Sequence, residues 1–235
     1  MKFRQHFRIP RLASLALVAA GWAVAAEMVA APSVSEGVAL AIVFDTSGSM
    51  RDAVADAGGG KAPKHEIGRR ALRAVVDRLE AFASSGPRVE AGLVIFRNAR
   101  AEEAVAFGPF DARPFRQWAD GFRQPEGATP LGSAVELGAR KTLASGLPHR
   151  HVLVITDGVN TAGPKPEFVL PRLAETARTQ EQTLAFHFVA FDVAAKEFQA
   201  VRELGATVVG AVDEAELNAQ LNFIIERKIL LEDEE

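Results

Sequence analysis

Residues 44–50 read FDTSGSM and set a carboxylate, Asp45, and two hydroxyls, Ser47 and Ser49, at alternate positions directly after the apolar run 38–44. A turn needs one or two such side chains; three in alternation form a cluster of oxygen donors. Two other segments carry matching chemistry: GATPLGSA (127–134) supplies Thr129 and ITDGVNT (155–161) supplies Asp157. No histidine or cysteine belongs to the set, so the donors are hard oxygens that select Mg²⁺, Mn²⁺ or Ca²⁺ over Zn²⁺ or Cu²⁺. The two carboxylates offset the charge of one divalent ion. Neutral hydroxyls as direct ligands leave that ion electrophilic, able to take a further carboxylate from another molecule. Such a site suits clasping a partner better than closing around a structural ion.

Converging these residues requires a particular scaffold. Six apolar runs, 38–44, 89–96, 102–108, 151–157, 184–191 and 206–212, alternate with longer segments. Five of them are nearly continuous in apolar residues, as strands buried on both faces are; the run 102–108 is the weakest and belongs at an edge. Between the runs lie amphipathic stretches. In 66–85, Ile67, Ala71, Leu72, Val75, Val76, Leu79 and Phe82 recur at three- and four-residue steps, a stripe that faces a core. Further helices are expected at 114–122, 131–145, 166–180, 196–204 and 214–231, with Pro171 starting or kinking the fourth of the six. Alternating strands and helices predict a doubly wound, three-layer Rossmann-like α/β open sheet with helices on both faces. The runs 89–96 and 102–108 are too close for a crossover helix and predict an antiparallel hairpin within that mainly parallel sheet. In such sheets ligands bind beyond the carboxyl ends of the strands, where strand order reverses. Asp45 and Asp157 each follow a strand and fall at that edge.

Each fragment also has a plain structural reading. DTSGSM alone serves as a strand-to-helix loop with a serine or aspartate cap, and TDG is an ordinary turn. Thr129 before Pro130 makes an N-cap with proline at the first helical position. His65, beside the Gly-rich loop DAGGGKAP (56–63), reads as solvated. His149 and His151 start a strand at the opposite end from the oxygen cluster, and His187 alternates with Phe186 and Phe188 as an interior residue. Asp192, after the fifth strand, reads as a turn or cap residue, with a place beside the site as the alternative.

Composition bounds the function. The chain has 235 residues, 48% hydrophobic and 24% charged, with net charge −3 and no cysteine. This excludes disulfides, thiolate chemistry and lipidation through cysteine, and nothing in it resembles a basic nucleic-acid surface. At the start, Lys2, Arg4, Arg8 and Arg11 precede an uncharged apolar stretch (12–26) containing AVA. This is the pattern of a signal peptide over residues 1–26, cleaved to leave an acidic protein in the periplasm or outside the cell, with an uncleaved anchor as the alternative. The remainder reads as one domain, 37–231, with a solvated acidic tail at 232–235.

The cluster at 45–49, Thr129 and the TDG at 156–158 together resemble the metal-ion-dependent adhesion site (MIDAS) of von Willebrand factor type A (VWA) domains, and bacterial exported members are the most similar. The resemblance spans residues 37–222. It implies a six-stranded sheet with one antiparallel edge strand. It also implies a metal contacted by Ser47, Ser49 and Thr129, with Asp45 and Asp157 acting mostly through water or hydrogen bonds. The expected function is divalent-cation-dependent protein binding, the partner supplying an Asp or Glu carboxylate. The segment 51–63 is long for the family and lies at the ligand-facing edge. Enzymatic alternatives fit less well. A dehalogenase-like phosphoryl-transfer site needs a second acid where Ser47 stands, and serine hydrolysis needs a G-x-S-x-G elbow that is missing here. A scaffold subunit beside a magnesium-chelatase-like ATPase requires a cytoplasmic location, at odds with the leader.

Overall fold

The computed structural model describes residues 37–230; the expected leader at 1–26 and tail at 232–235 lie outside the described residues. The chain opens with β1 (Gly37–Phe44), every residue of which is buried. After a 3-10 turn at Gly48–Arg51 come two short strands, β2 (Ala53–Ala55) and β3 (Lys61–Pro63), and helix α1 (Lys64–Ser84). Next are β4 (Arg88–Arg97), β5 (Arg100–Pro109), α2 (Ala112–Gly121), α3 (Leu131–Leu143), β6 (His149–Thr156) and α4 (Pro166–Thr179). The last third holds β7 (Ala185–Phe191), a 3-10 turn at Ala195–Phe198, α5 (Gln199–Glu203), β8 (Thr207–Ala211), α6 (Glu214–Ile224) and a π-helical end at Ile225–Leu230.

Six strands form one sheet in the order β5-β4-β1-β6-β7-β8. All neighbours pair in parallel except β4 with β5. The fold class and the antiparallel edge strand are therefore as the sequence predicts. Only Asn98 and Ala99 separate β4 from β5, both with positive φ, the backbone that a two-residue hairpin turn demands. From β1 the chain moves outward to β4 and β5, then returns to place β6 on the other side of β1. Strand order thus reverses between β1 and β6.

Alternation along β1 divides the core. Leu40, Ile42 and Phe44 face α1, α2 and α6, joined by Ile67, Leu72, Val75 and Leu79 of the α1 stripe. Ala41 and Val43 face the layer of α3, α4 and α5, with Leu131, Val135, Val169 and Leu170. Small residues let the layers approach: a methyl at Gly138 would stand 3.0 Å from the Ala41 Cβ, and one at Gly68 only 2.8 Å from the Phe44 ring.

Four local expectations are corrected. The segment 51–63 is not wholly loop, because β2 and β3 pair as a small antiparallel hairpin. Its tip is closed by Asp56, whose Oδ1 accepts from Gly58 N and Gly60 N, and three-residue strands are too short to show a period. Pro166 lies in the first turn of α4 and starts it, so only the starting role expected of Pro171 is corrected; Pro171 lies inside the helix, the position of the kinking alternative. The C-terminal helix changes to π-helical winding after Ile224. Finally, Thr129 caps nothing: α3 begins at Leu131, with no side-chain cap from its preceding residue. Among the described residues no helix is long and apolar enough to cross a membrane.

Candidate metal centre

Asp45 follows β1 and Asp157 follows β6, on the two central strands where the order reverses. The backbone continues their pairing for one more step, Asp45 N donating to Ile155 O at 2.9 Å. Asp45 is fully buried, 0% exposed. Its Oδ1 accepts from Ser47 N at 2.7 Å and its Oδ2 from Thr156 Oγ1 at 2.6 Å. Burial first, and then the nearby charge of Asp157, push its carboxyl up to about 6. Ser47 Oγ lies 3.2 Å from Ser49 Oγ, and Ser49 Oγ donates to Asp157 Oδ1 at 2.8 Å. One continuous hydrogen-bonded path therefore joins Asp45, Ser47, Ser49 and Asp157. Ser49 is the solvent-exposed member, so the cluster opens at the sheet edge.

Thr129 arrives from the third loop. Its backbone is clamped on both sides by Thr161, whose Oγ1 accepts from Thr129 N at 2.8 Å and whose N donates to Thr129 O at 3.0 Å. The Thr129 Oγ1 and Ser49 Oγ lie 3.8 and 3.9 Å from the point where a Gly158 side chain would begin, so both hydroxyls border the same spot. A side chain at Gly158 would enter that space. All five predicted residues are thus brought to one edge.

The surroundings hold residues the sequence reading missed. Thr156 donates its hydroxyl proton to Asp45 and accepts from Gly158 N. Thr46, between the site residues, turns inward to lock the ends of β1 and β4, donating to Phe96 O at 2.7 Å and accepting from Phe96 N at 3.0 Å. Asn160 takes the capping role expected of Thr129, its Oδ1 accepting from Gly132 N at 3.0 Å. Helix α3 and the 157–161 loop are therefore held together. Contact there is so close that a methyl at Gly132 would overlap the Pro164 carbonyl oxygen and stand 2.9 Å from the Lys165 carbonyl carbon. Gly132→Ala is accordingly expected to lower the urea midpoint, with a loss of about 1–3 kcal/mol, and to weaken any ion binding by displacing the Asp157 loop. A variant of wild-type stability would contradict this packing.

Lys64 is the largest omission. The sequence reading assigns Lys64, in KAPKHE, no role, yet it is 4% exposed. Its Nζ lies 2.9 Å from Asp192 Oδ2, 3.1 Å from Asp157 Oδ2 and 3.9 Å from Asp52 Oδ2. Burial works to lower its pKa, but the hydrogen bonds to Asp192 and Asp157 outweigh it and hold the ammonium above the ordinary lysine value. Asp192 thus borders the site through Lys64, the alternative rather than the favoured sequence reading. His65 is corrected as well. It is 7% exposed, with Nδ1 3.1 Å from Met50 O and its ring edge-on to Phe122, because α1 begins two residues earlier than its periodicity suggests. His149 and His151 lie at the opposite end of β6, where Nδ1 of His151 meets Nε2 of His187 at 3.2 Å.

Among the described residues no group of three or more His, Cys, Asp or Glu side chains forms a ready metal cage. An ion here must rest on hydroxyls and water as much as on carboxylates. The geometry allows this: Ser49 gives its proton to Asp157 and accepts from Ser47 Oγ, so its oxygen keeps one lone pair for a cation. Two carboxylates and three hydroxyls fit a hard divalent ion.

No protein-family model and no curated protein matches the chain. Solved structures do. The PilB minor pilin from Streptococcus sanguinis is 17% identical with a TM-score of 0.61, over 81% of this chain and 60% of that one. This chain therefore spans less than two thirds of PilB. The vWF domain of the type V pili tip protein Mfa5 from Porphyromonas gingivalis is 13% identical with a TM-score of 0.58, over 82% of this chain and 95% of that one. Proximal thread matrix protein 1 from the mussel byssus, with a zinc-occupied MIDAS motif, is 16% identical with a TM-score of 0.57, over 82% of this chain and 48% of that one. Identities this low speak to architecture alone, and the described residues of this chain have the fold of a von Willebrand factor type A domain.

Proposed function

We propose that the chain is a divalent-cation-dependent protein-binding module working in the periplasm or outside the cell. Ser47, Ser49 and Thr129 hold the ion by their hydroxyls, while Asp45 and Asp157 orient those hydroxyls and bound water and supply the negative charge. The bound ion supplies a Lewis-acidic point for an Asp or Glu carboxylate of the partner. Magnesium is the first choice among Mg²⁺, Mn²⁺ and Ca²⁺, because the donors are few and water completes the shell. The observation that carries this reading is the hydrogen-bonded path from Asp45 through Ser47 and Ser49 to Asp157, in which the Ser49 hydroxyl is exposed at the switch point of the sheet. The leader-like residues 1–26 support export, and the pilus settings of PilB and Mfa5 agree with it. The mussel protein's zinc-occupied motif is in keeping with a divalent ion at this edge.

Phosphoryl transfer through Asp45 has little geometric support. Both its oxygens accept hydrogen bonds and the side chain is buried, which leaves no exposed nucleophile.

Thr129→Ala tests the reading cleanly, because Thr129 does not cap α3 and its backbone clamp to Thr161 survives the change. Calorimetric titration with Mg²⁺, Mn²⁺ and Ca²⁺ should show one ion per wild-type chain. In the variant the affinity should fall at least about tenfold with an unaltered circular dichroism spectrum. Unchanged binding by Thr129→Ala would remove this residue from the site. No binding by folded wild type, even with acetate present, would remove the ion.

A further inference from the structure

Lys64 is the first residue of α1, where the helix dipole disfavours a cation. Its side chain is nonetheless buried within reach of Asp192, Asp157 and Asp52. The hydrogen bond to Asp157 occupies Oδ2 while Ser49 occupies Oδ1, so both oxygens of this carboxylate are engaged before any ion arrives. Asp192 sits in the left-handed region at φ 53 and is 42% exposed on its side chain, much more open than Asp157. It holds the ammonium from the solvent side.

We propose that Lys64 is a built-in counter-cation that makes ion binding at this site depend on a carboxylate from the ligand. The inference rests on the metal-site reading above. Asp45 and Asp157 alone would neutralise a divalent ion. With the Lys64 ammonium against Asp157 the three side chains carry a net charge of −1, and a divalent ion raises the group to +1. An incoming carboxylate restores neutrality. Asp192 meets the ammonium with a side chain 42% exposed, where the higher local dielectric weakens its pull on the ion; it anchors the lysine more than it attracts the ion. Lys64 therefore weakens the ion in the empty site and strengthens the acidic ligand in the loaded one. Ion and carboxylate are linked in turn: the factor by which the ion tightens carboxylate binding equals the factor by which the carboxylate tightens the ion. Couplings of this kind amount to roughly 5- to 150-fold. A partner that presents Asp or Glu is favoured over one that presents a neutral oxygen.

Magnesium titration of the full chain, in sodium chloride and in sodium acetate of equal ionic strength, tests this with Lys64→Met, which keeps the buried stem and removes the charge. Wild type should bind Mg²⁺ weakly in chloride and about tenfold more tightly in acetate. Lys64→Met should bind at least about tenfold more tightly than wild type in chloride, and gain little from acetate. Equal affinities in chloride, or the same gain from acetate in both proteins, would overturn the coupling. Should the coupling be overturned in that way while wild type binds Mg²⁺ and Asp45→Asn does not, the metal site stands and only the role of Lys64 falls. If no protein binds Mg²⁺ in either medium, the metal site and the coupling fall together. Should Lys64→Met not fold, Asp192→Asn replaces it, since asparagine accepts the left-handed backbone. Loss of the Asp192 carboxylate removes the negative charge that partly offsets the ammonium, so Mg²⁺ binding in chloride should weaken several-fold and the gain from acetate should grow. Unchanged values in that variant would also overturn the proposal.

Discussion

Asp45→Asn is expected to reverse the order of stability between wild type and variant according to whether Mg²⁺ is present. With a chelator at pH 7 the variant should be at least as stable as wild type, by up to about 3 kcal/mol; with saturating Mg²⁺ wild type should be the more stable. The first half follows from burial. A carboxyl whose ordinary value is 3.8 titrates at about 6 in the fold, so the folded protein holds this proton more tightly than the unfolded chain does. That contribution to stability is fully present below pH 3.8 and is lost as pH rises through 6. At pH 7 the metal-free protein carries an ionised group in a site that resists it. Asparagine removes the charge and keeps the shape. Its oxygen still accepts from Ser47 N, and Thr156 can turn its hydroxyl from donor to acceptor toward the new amide. The second half follows from the proposed ion, which offsets the same charge in wild type and finds no carboxylate at residue 45 in the variant. Ion affinity should drop about 100-fold or more, at or beyond the upper end of losses caused by removing an outer-shell partner. Urea midpoints in chelator and in Mg²⁺ measure both halves. A variant less stable than wild type in chelator would mean that the hydrogen bonds of Asp45 outweigh its burial, and one stabilised by Mg²⁺ as strongly as wild type would place the ion elsewhere.

The second large effect arises at the other end of the sheet. Acidification of the metal-free protein from pH 7 to 5 should lower its stability by roughly 2–3 kcal/mol. His151 and His187 lie on adjacent strands, stacked with ring centroids 5.4 Å apart and joined through Nδ1 and Nε2. Burial, together with the charge on His187 and His149, holds His151 at about 3. Burial and the charge of Lys228 hold His187 at about 4. Both values lie below the ordinary 6.5, so the unfolded chain takes up protons that the folded one refuses. The stability this confers is complete above pH 6.5 and is lost as pH falls toward the folded values. Each histidine accounts for about 1.8 kcal/mol between pH 7 and 5, while Asp45 acts in the opposite sense by about 1.3 kcal/mol over the same interval. Two variants separate these contributions. His187→Phe should roughly halve the histidine part, and Asp45→Asn should enlarge the total loss to about 3–4 kcal/mol. Urea melts at the two pH values decide it; an acid loss that His187→Phe leaves unchanged would show that the pair is not its source.

The sheet was readable from the chain because its cause is local. Buried parallel strands require continuous apolar runs, and helices on the faces require stripes at three- and four-residue steps, so 38–44, 151–157 and 66–85 announce their elements without knowledge of their neighbours. The oxygen cluster was readable for a related reason. In an open α/β sheet any polar residue directly after a central strand falls at one edge, so Asp45 and Asp157 had to come close once β1 and β6 were recognised. Thr129 followed from the company it keeps rather than from its own surroundings. The hairpin within 51–63 escaped because three residues per strand cannot display a period.

The electrostatics of the site were decided in three dimensions. Lys64 and Asp157 are separated by 93 positions, and Thr156 and Asp45 by 111. No spacing rule links such pairs, and each residue read alone has an ordinary role, a surface lysine or a strand threonine. His151 and His187 are likewise 36 positions apart, and their mutual contact depends on the register between β6 and β7. Residue types and strand order therefore determined which oxygens gather at the sheet edge. Tertiary packing alone decided which of them are buried, which carry a neighbouring positive charge, and which hydroxyl remains open to solvent, because burial and Coulombic contact are properties of distance through space and not of distance along the chain.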